Sequence, residues 1–226
     1  MAKALRRGTP EERARAASRI GIIGRGAAVN PLVAALADAE PAVRVEATES
    51  LGSIDDPRAV EALAGLVRHP EVEVRLAAAA GLASPAPGPA IEALIALARD
   101  PDPSVRARSA RSLASHGPAT IATLAALAHD DERNVRLAAI NGLRDAHALQ
   151  ALHDLLAEAD DLQEELVLAL ATAGDRSVEE SLLDILDWGG PNQLAAAHAL
   201  RSMGRPPEDP ARAVTYHRLL RDPQGC

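Results

Sequence analysis

The sequence predicts an all-α fold, an α-solenoid (α/α superhelix) of about seven helical hairpins. Three observations predict it. A Val-Arg segment returns at a near-constant interval of 30–31 residues. The apolar fraction, 47%, is carried almost without aromatics: there is no Phe, one Trp (Trp188) and one Tyr (Tyr216). No run alternates β-branched or aromatic residues with polar ones, as a half-buried strand does.

The repeat is clearest in the middle of the chain. AEPAVRVEATESLG starts at Ala39, HPEVEVRLAAAAGLA at His69, DPDPSVRARSARSLA at Asp100 and DDERNVRLAAINGLR at Asp130. Their arginines are Arg44, Arg75, Arg106 and Arg136, spaced 31, 31 and 30 residues apart. Three residues on stands a small residue (Ala47, Ala78, Ser109, Ala139), and seven residues on a leucine (Leu51, Leu82, Leu113, Leu143). Upstream the same frame reaches Arg13, Ala16 and Ile20. Downstream it reaches Leu166 with Ala169, then Ala196 with Ala199. The repeats thus span about residues 9–204 of a single array, 1–226, with a capping segment at about 205–226.

Each unit contains a second helix. PRAVEALAGLVR (57–68), PAIEALIALAR (89–99) and PATIATLAALAH (118–129) carry apolar residues at the helical period. Pro57, Pro89 and Pro118 suit a first helical turn, where a missing N–H is harmless. Pro41, Pro70 and Pro101 break the chain before the next Val-Arg helix. Gly52, Gly81 and Gly142 fall near the ends of those helices, where a left-handed turn or close packing needs them. In the last segment, ARAVTYHRLLRD (211–222) reads as a short helix whose Val214, Leu219 and Leu220 cover the end of the core. Without aromatics to fill volume, Ala and Leu helices must approach closely, and a lone hairpin cannot hide its apolar stripe.

The run DPRAVEALAGLVRHPEVEVRLAAAAGL (56–82) resembles the HEAT-like repeat of phycobilin-lyase-type proteins. Asp100-Pro101 and Val105-Arg106 are the sharpest points of likeness. The period is shorter than the usual HEAT length of roughly 40–47 residues. The resemblance implies a right-handed superhelix with the Val-Arg helices on its concave side. It does not imply lyase activity, since function resides in a site and not in a fold.

Function classes can be narrowed. The formal net charge is −8. That balance argues against general nucleic-acid binding, which draws on a basic face. No stretch has the length of a membrane span, and the first residues lack a secretory apolar core, so a cytoplasmic protein is expected. Cys226 is the single cysteine, which precludes an internal disulfide. The seven histidines form no metal-ligand spacing; His69, His116 and His129 sit at helix ends, where partial positive charge is favourable. GIIGRGAA (21–28) lacks the Gly-Lys-Ser/Thr ending of a phosphate loop and reads as a turn. No catalytic, cofactor-binding or metal residue is assigned.

Two polar patterns remain. Arg13, Arg44, Arg75, Arg106 and Arg136 recur with the fold, which favours a structural ladder pairing with Asp38, Glu40, Asp100, Asp102, Asp130 or Asp131 over a grip on a partner. Residues two and five places after each Arg share one outward face. They vary from repeat to repeat while the core positions hold. Glu46, Glu49, Arg108, Arg111, Asn141 and Arg201 are the candidate contacts for a protein or peptide partner. Residues 154–187 hold eleven acidic side chains and one basic, which suits a basic partner, or else only solubility. Trp188 reads as part of the terminal cap, with a role as a binding anchor the alternative. The function expected is a non-catalytic interaction or scaffolding module. The alternatives are a chromophore lyase or a lyase-assisting subunit, as the resemblance suggests, and a nucleic-acid-binding protein using the basic N-terminus.

Overall fold

The computed structural model of the chain describes residues 2–23, 25–84, 88–158, 162–188, 190 and 192–221. The readings placed on Gly24 and Cys226 lie outside the described residues. Among the described residues there are fifteen α-helices and no strand, and the fold is a helical-repeat solenoid. The chain divides into two compact units, Met1–Gly142 and Leu143–Cys226.

The first unit runs α1 (Ala2–Arg7), α2 (Pro10–Ile23), α3 (Val29–Ala35), α4 (Pro41–Gly52), α5 (Pro57–Ala64), α6 (Val72–Gly81), α7 (Pro89–Leu97), α8 (Pro103–Leu113), α9 (Ile121–Leu127) and most of α10 (Arg133–Asp145). The Val-Arg helices α2, α4, α6 and α8 stack in sequence as one layer, and α3, α5 and α7 form a second layer against it. Neighbours in the Val-Arg layer pack more extensively than neighbours in the other. Helices α4, α6, α8 and α10 each bury one stripe, at the residue before the Arg and the residues three and seven after it, while α2 buries Ala16 and Ile20 but leaves Glu12 exposed. Val43, Ala47 and Leu51 on α4, Val74, Ala78 and Leu82 on α6, Val105, Ser109 and Leu113 on α8, and Val135, Ala139 and Leu143 on α10 are all buried. That is the i, i+4, i+8 spacing of one helix face.

The layer closes up through small residues one place before each leucine: Ser50, Gly81, Ser112 and Gly142. A Cβ on Gly52 of α4 would stand 2.4 Å from the Cα of Gly81 on α6. A Cβ on Gly142 would stand 2.9 Å from Cδ2 of Leu124. These glycines serve close packing and have ordinary negative φ. The serines bond across the crossings to either side, α2–α4 and α6–α8. Ser50 Oγ donates to the Ala17 carbonyl at 3.2 Å, and Ser112 Oγ to the Ala79 carbonyl at 2.7 Å. A serine therefore satisfies its own hydroxyl on the neighbouring helix, as a buried polar group must.

Pro57 and Pro89 open α5 and α7 as expected. Pro118 does not open α9. It lies in a 3-10 turn, Ala114–Thr120, in which Gly117 takes φ 73°, so α9 begins only at Ile121. Pro41 is itself the first residue of α4 rather than a break before it.

The second unit contains α11 (Leu149–Glu158), α12 (Gln163–Thr172), α13 (Glu179–Trp188), α14 (Gln193–Ser202) and α15 (Pro210–Arg221). Gly174 and Gly204 end α12 and α14 in the left-handed region, and His147 ends α10 in the same way. At all three turns the next amide reaches back five residues: Asp175 to Leu170, Arg205 to Leu200, Ala148 to Leu143. α15 packs on α13 and α14. The residues expected to seal it are only partly right. Leu219 is buried and Leu220 half-buried, but Val214 is exposed and Tyr216 takes the buried place. The helix is turned about one position from the expected register.

The Gly52–Gly81 crossing yields a direct test. Gly52→Val forces α4 and α6 apart and should cost about 3 kcal/mol, seen as a lowered thermal midpoint. Gly65→Ala, at the exposed C-terminus of α5, should stay within about 0.5 kcal/mol of the parent. Equal midpoints for the two variants would mean that the layer is not held at the crossing.

Candidate functional site

The recurring arginines sit in the first turn of each Val-Arg helix and their forks are occupied within the first unit. Arg13 grips Asp38 with two bonds, 2.7 and 2.8 Å, and donates to the Gly8 carbonyl at 2.9 Å. Arg75 grips Asp100 at 2.6 and 2.9 Å and donates to the carbonyls of His69 and Pro70 at 2.8 and 3.2 Å. Arg106 grips Asp130 at 2.7 and 2.8 Å and donates to the carbonyls of Asp100 and Pro101 at 2.9 and 3.2 Å. Arg44 bonds the Glu71 carboxylate and the Asp38 carbonyl. Arg136 donates to the carbonyls of Asp130 and Asp131, both at 2.9 Å. Each arginine thus caps the turn before its own helix, and the first four reach a carboxylate in the next repeat. The planar fork makes both possible at once, which an ammonium could not do.

The carboxylates are held from a second side. Asp38, Asp100 and Asp130 each accept the backbone N–H two residues on, at 3.0, 2.9 and 3.0 Å. Glu40, Asp102 and Asp131, the other candidate partners, do not bond the ladder through their carboxylates. Asp102 caps α8 by accepting from Ser104 N.

One rung departs from the pattern. His69 stands where the frame elsewhere places Asp38, Asp100 and Asp130. Its Nδ1 accepts the Glu71 N–H at 3.2 Å, so the ring copies the aspartate's backbone bond but offers the arginine no anion. Arg44 turns to Glu71 instead. His69 therefore acts as an acceptor at a turn, not as a donor to a helix end. His116 and His129 do face carbonyls, of Leu82 and Ala125.

The ladder makes its partners stronger acids. The Arg13 bond holds the Asp38 carboxyl below its ordinary value, and the Arg106 bond does the same for Asp130. At Asp100 burial pushes upward, but the Arg75 bond, the Asp102 amide and nearby charge together bring it below the ordinary value.

The other candidate row has the opposite character. Glu49, Arg111 and Asn141 are exposed, and Glu46 and Arg108 half-buried. Among the described residues the side chains of Glu46, Glu49, Arg108 and Arg111 have no hydrogen-bond or ion-pair partner. Asn141 Nδ2 donates to the Leu137 carbonyl at 2.9 Å. Arg201, exposed on α14, belongs to the second unit. Between the acidic pair of α4 and the basic pair of α8, α6 presents Ala77 and Ala80, of which Ala77 is buried. One layer therefore offers acid, then a small apolar step, then base. Ala138 and Ala171 are also buried, so small residues in these rows line the core edge rather than an open floor.

Among the described residues no group of three metal-ligating side chains comes together, and no helix is long and apolar enough to cross a membrane.

A family model of HEAT repeats matches residues 1–84 and 91–171. The chain belongs to the HEAT-repeat family. A search of characterised proteins by sequence found no match. Among solved structures, the chain is similar to the CpcE–CpcF complex of phycocyanin lyase from Nostoc sp. PCC7120, at 21% identity and TM-score 0.56, over 98% of this chain and 92% of that one. The YibA protein of Escherichia coli is similar at 20% identity and TM-score 0.65, over 97% and 85%. The Pds5–Scc1 complex is similar at 16% identity and TM-score 0.50, over 97% and 38%. At these identities the likeness shows the fold alone.

The ladder generates three predictions. Carboxyls depressed in the fold add stability above their unfolded value of about 3.9, and lose it as pH falls through the folded value. The thermal midpoint should hold from neutrality to about pH 5 and then fall. Asp100→Asn should cost about 3 kcal/mol at pH 7 and flatten the acid decline. His69→Asp gives Arg44 a carboxylate in the register of the other rungs and should raise stability by about 1 kcal/mol in denaturant unfolding. A lowered stability there would show that Glu71 already serves the rung fully.

Proposed function

We propose that this chain is a non-catalytic interaction module that binds a segment of another protein across the exposed face of its Val-Arg helices. One contrast carries the reading. The charges that recur with the fold are paired, while Glu46, Glu49, Arg108 and Arg111, on the same layer, are unpaired among the described residues. Charges placed without an internal partner cost little in water and are available to a ligand. Asn141, and Arg201 in the second unit, stand at the same register of the sequence repeat.

Two further points support it. Closer packing in the Val-Arg layer draws that side of a stack inward, which favours it as the concave side. Chains similar in fold to this one were solved as complexes, CpcE with CpcF and Pds5 with Scc1. The fitting partner is a helix with a basic end over Glu46 and Glu49, a small apolar middle over α6, and an acidic end over Arg108 and Arg111. Packed helices lie roughly 8–10 Å apart, so crossing from α4 to α8 takes about 11–13 helical residues.

The test begins with affinity purification from the native host and identification of the partner by mass spectrometry. Binding of that partner to Arg108→Glu/Arg111→Glu and to Glu46→Arg/Glu49→Arg should each weaken about ten-fold or more, about 1.4 kcal/mol, with an unchanged thermal midpoint. Undiminished binding to both variants would remove the face from consideration. Unfolding of either variant would mean that these side chains hold the fold.

A further inference from the structure

We propose a second docking site, in the second unit, where the cleft between α12 and α13 takes an arginine side chain from a basic peptide segment. Trp188, the only tryptophan of the chain, ends α13 and is 73% exposed. Large aromatics are costly to leave in water and are favoured as anchors of contacts. Beside it Val167 of α12 and Ile185 of α13 floor a cleft of about 50 Å³, flanked by Glu164 and Asp184. It has room for the end of one side chain and not for a cofactor.

The occupant is identified by charge and by a precedent within the same unit. Residues 154–187 carry eleven acidic side chains against one basic. The acidic row of α13 already binds a guanidinium. Arg212 of α15 donates from Nε to Asp187 Oδ2 at 2.8 Å and lies 3.8 Å from Asp184 and 4.0 Å from Glu180. One arginine against three carboxylates leaves the row net negative. Glu164 is steadied by Asn192 Nδ2, which donates to its Oε2 at 2.8 Å. A second guanidinium entering from the Trp188 side finds carboxylates to either hand, a ring face to stack on, and an apolar floor for its stem. Planar, weakly hydrated guanidinium suits this better than ammonium, so arginine is preferred to lysine. The site is independent of the face on α4–α8, and each can fail without the other.

Trp188 is also the reporter. The full chain is titrated with a hexa-arginine peptide at low salt while tryptophan emission is followed. A saturable change is expected, weaker with hexa-lysine, absent with hexa-glutamate, and screened out by salt. By calorimetry, Trp188→Ala should bind hexa-arginine about five-fold or more less tightly, and Glu164→Gln/Asp184→Asn should lose most of the binding. Glu61→Gln/Glu92→Gln, which removes two acidic groups from the first unit, should bind as the parent does. Unchanged emission on adding hexa-arginine would overturn the proposal. So would equal affinity of Trp188→Ala, or equal loss in the first-unit variant, either of which would mean diffuse attraction to an acidic chain.

Discussion

A core without phenylalanine has to be filled by bringing backbones together, and the rest of this molecule depends on that constraint. Aromatic rings normally span the gap between helices. Here Gly52 meets Gly81 almost Cα to Cα, and Ser50 and Ser112 turn their hydroxyls onto neighbouring carbonyls. Once helices lie so close, their ends crowd, and the carbonyls of each preceding turn need donors that reach in from the side. The arginine at the start of the next helix supplies them. Close packing and the ladder are therefore two parts of one solution.

That solution also sorts the charges. An arginine held by two carbonyls and a bidentate carboxylate has no capacity left for a ligand, however regular its spacing. The informative side chains are those the fold does not use. On α4 and α8 they are acidic and basic pairs separated by alanines. On α13 the three carboxylates of Glu180, Asp184 and Asp187 share the single arginine Arg212. Periodicity marks structure and departure from periodicity marks the candidate surfaces.

How much was legible follows from the same division. The Val-Arg period, the buried stripe Val43–Ala47–Leu51 and its copies, and the hairpin alternation were readable because each repeats. The partners Asp38, Asp100 and Asp130 could be named because they fall at the same interval. Glu71 lies outside the aspartate register, and His69 in that register is the visible signal that this rung differs. Pro118 misled because Gly117 breaks the turn beside it. Val214 and Tyr216 were exchanged because one helix with no repeat copy gives no second reading of its face. The Trp188 cleft needed coordinates, since Val167 and Ile185 look in sequence like any other core positions.

The reach of each rung has an evolutionary consequence. Arg13, Arg75 and Arg106 find their carboxylates 25, 25 and 24 residues ahead, always in the following repeat and never further. Loss of the unit that carries His69 would leave Arg44 facing the aspartate of the following repeat. Array length is then a quantity that gene-level recombination can change freely, whereas an insertion of a few residues inside a unit is penalised at once. A chain built in this way can lengthen or shorten its exposed face without redesigning the joints.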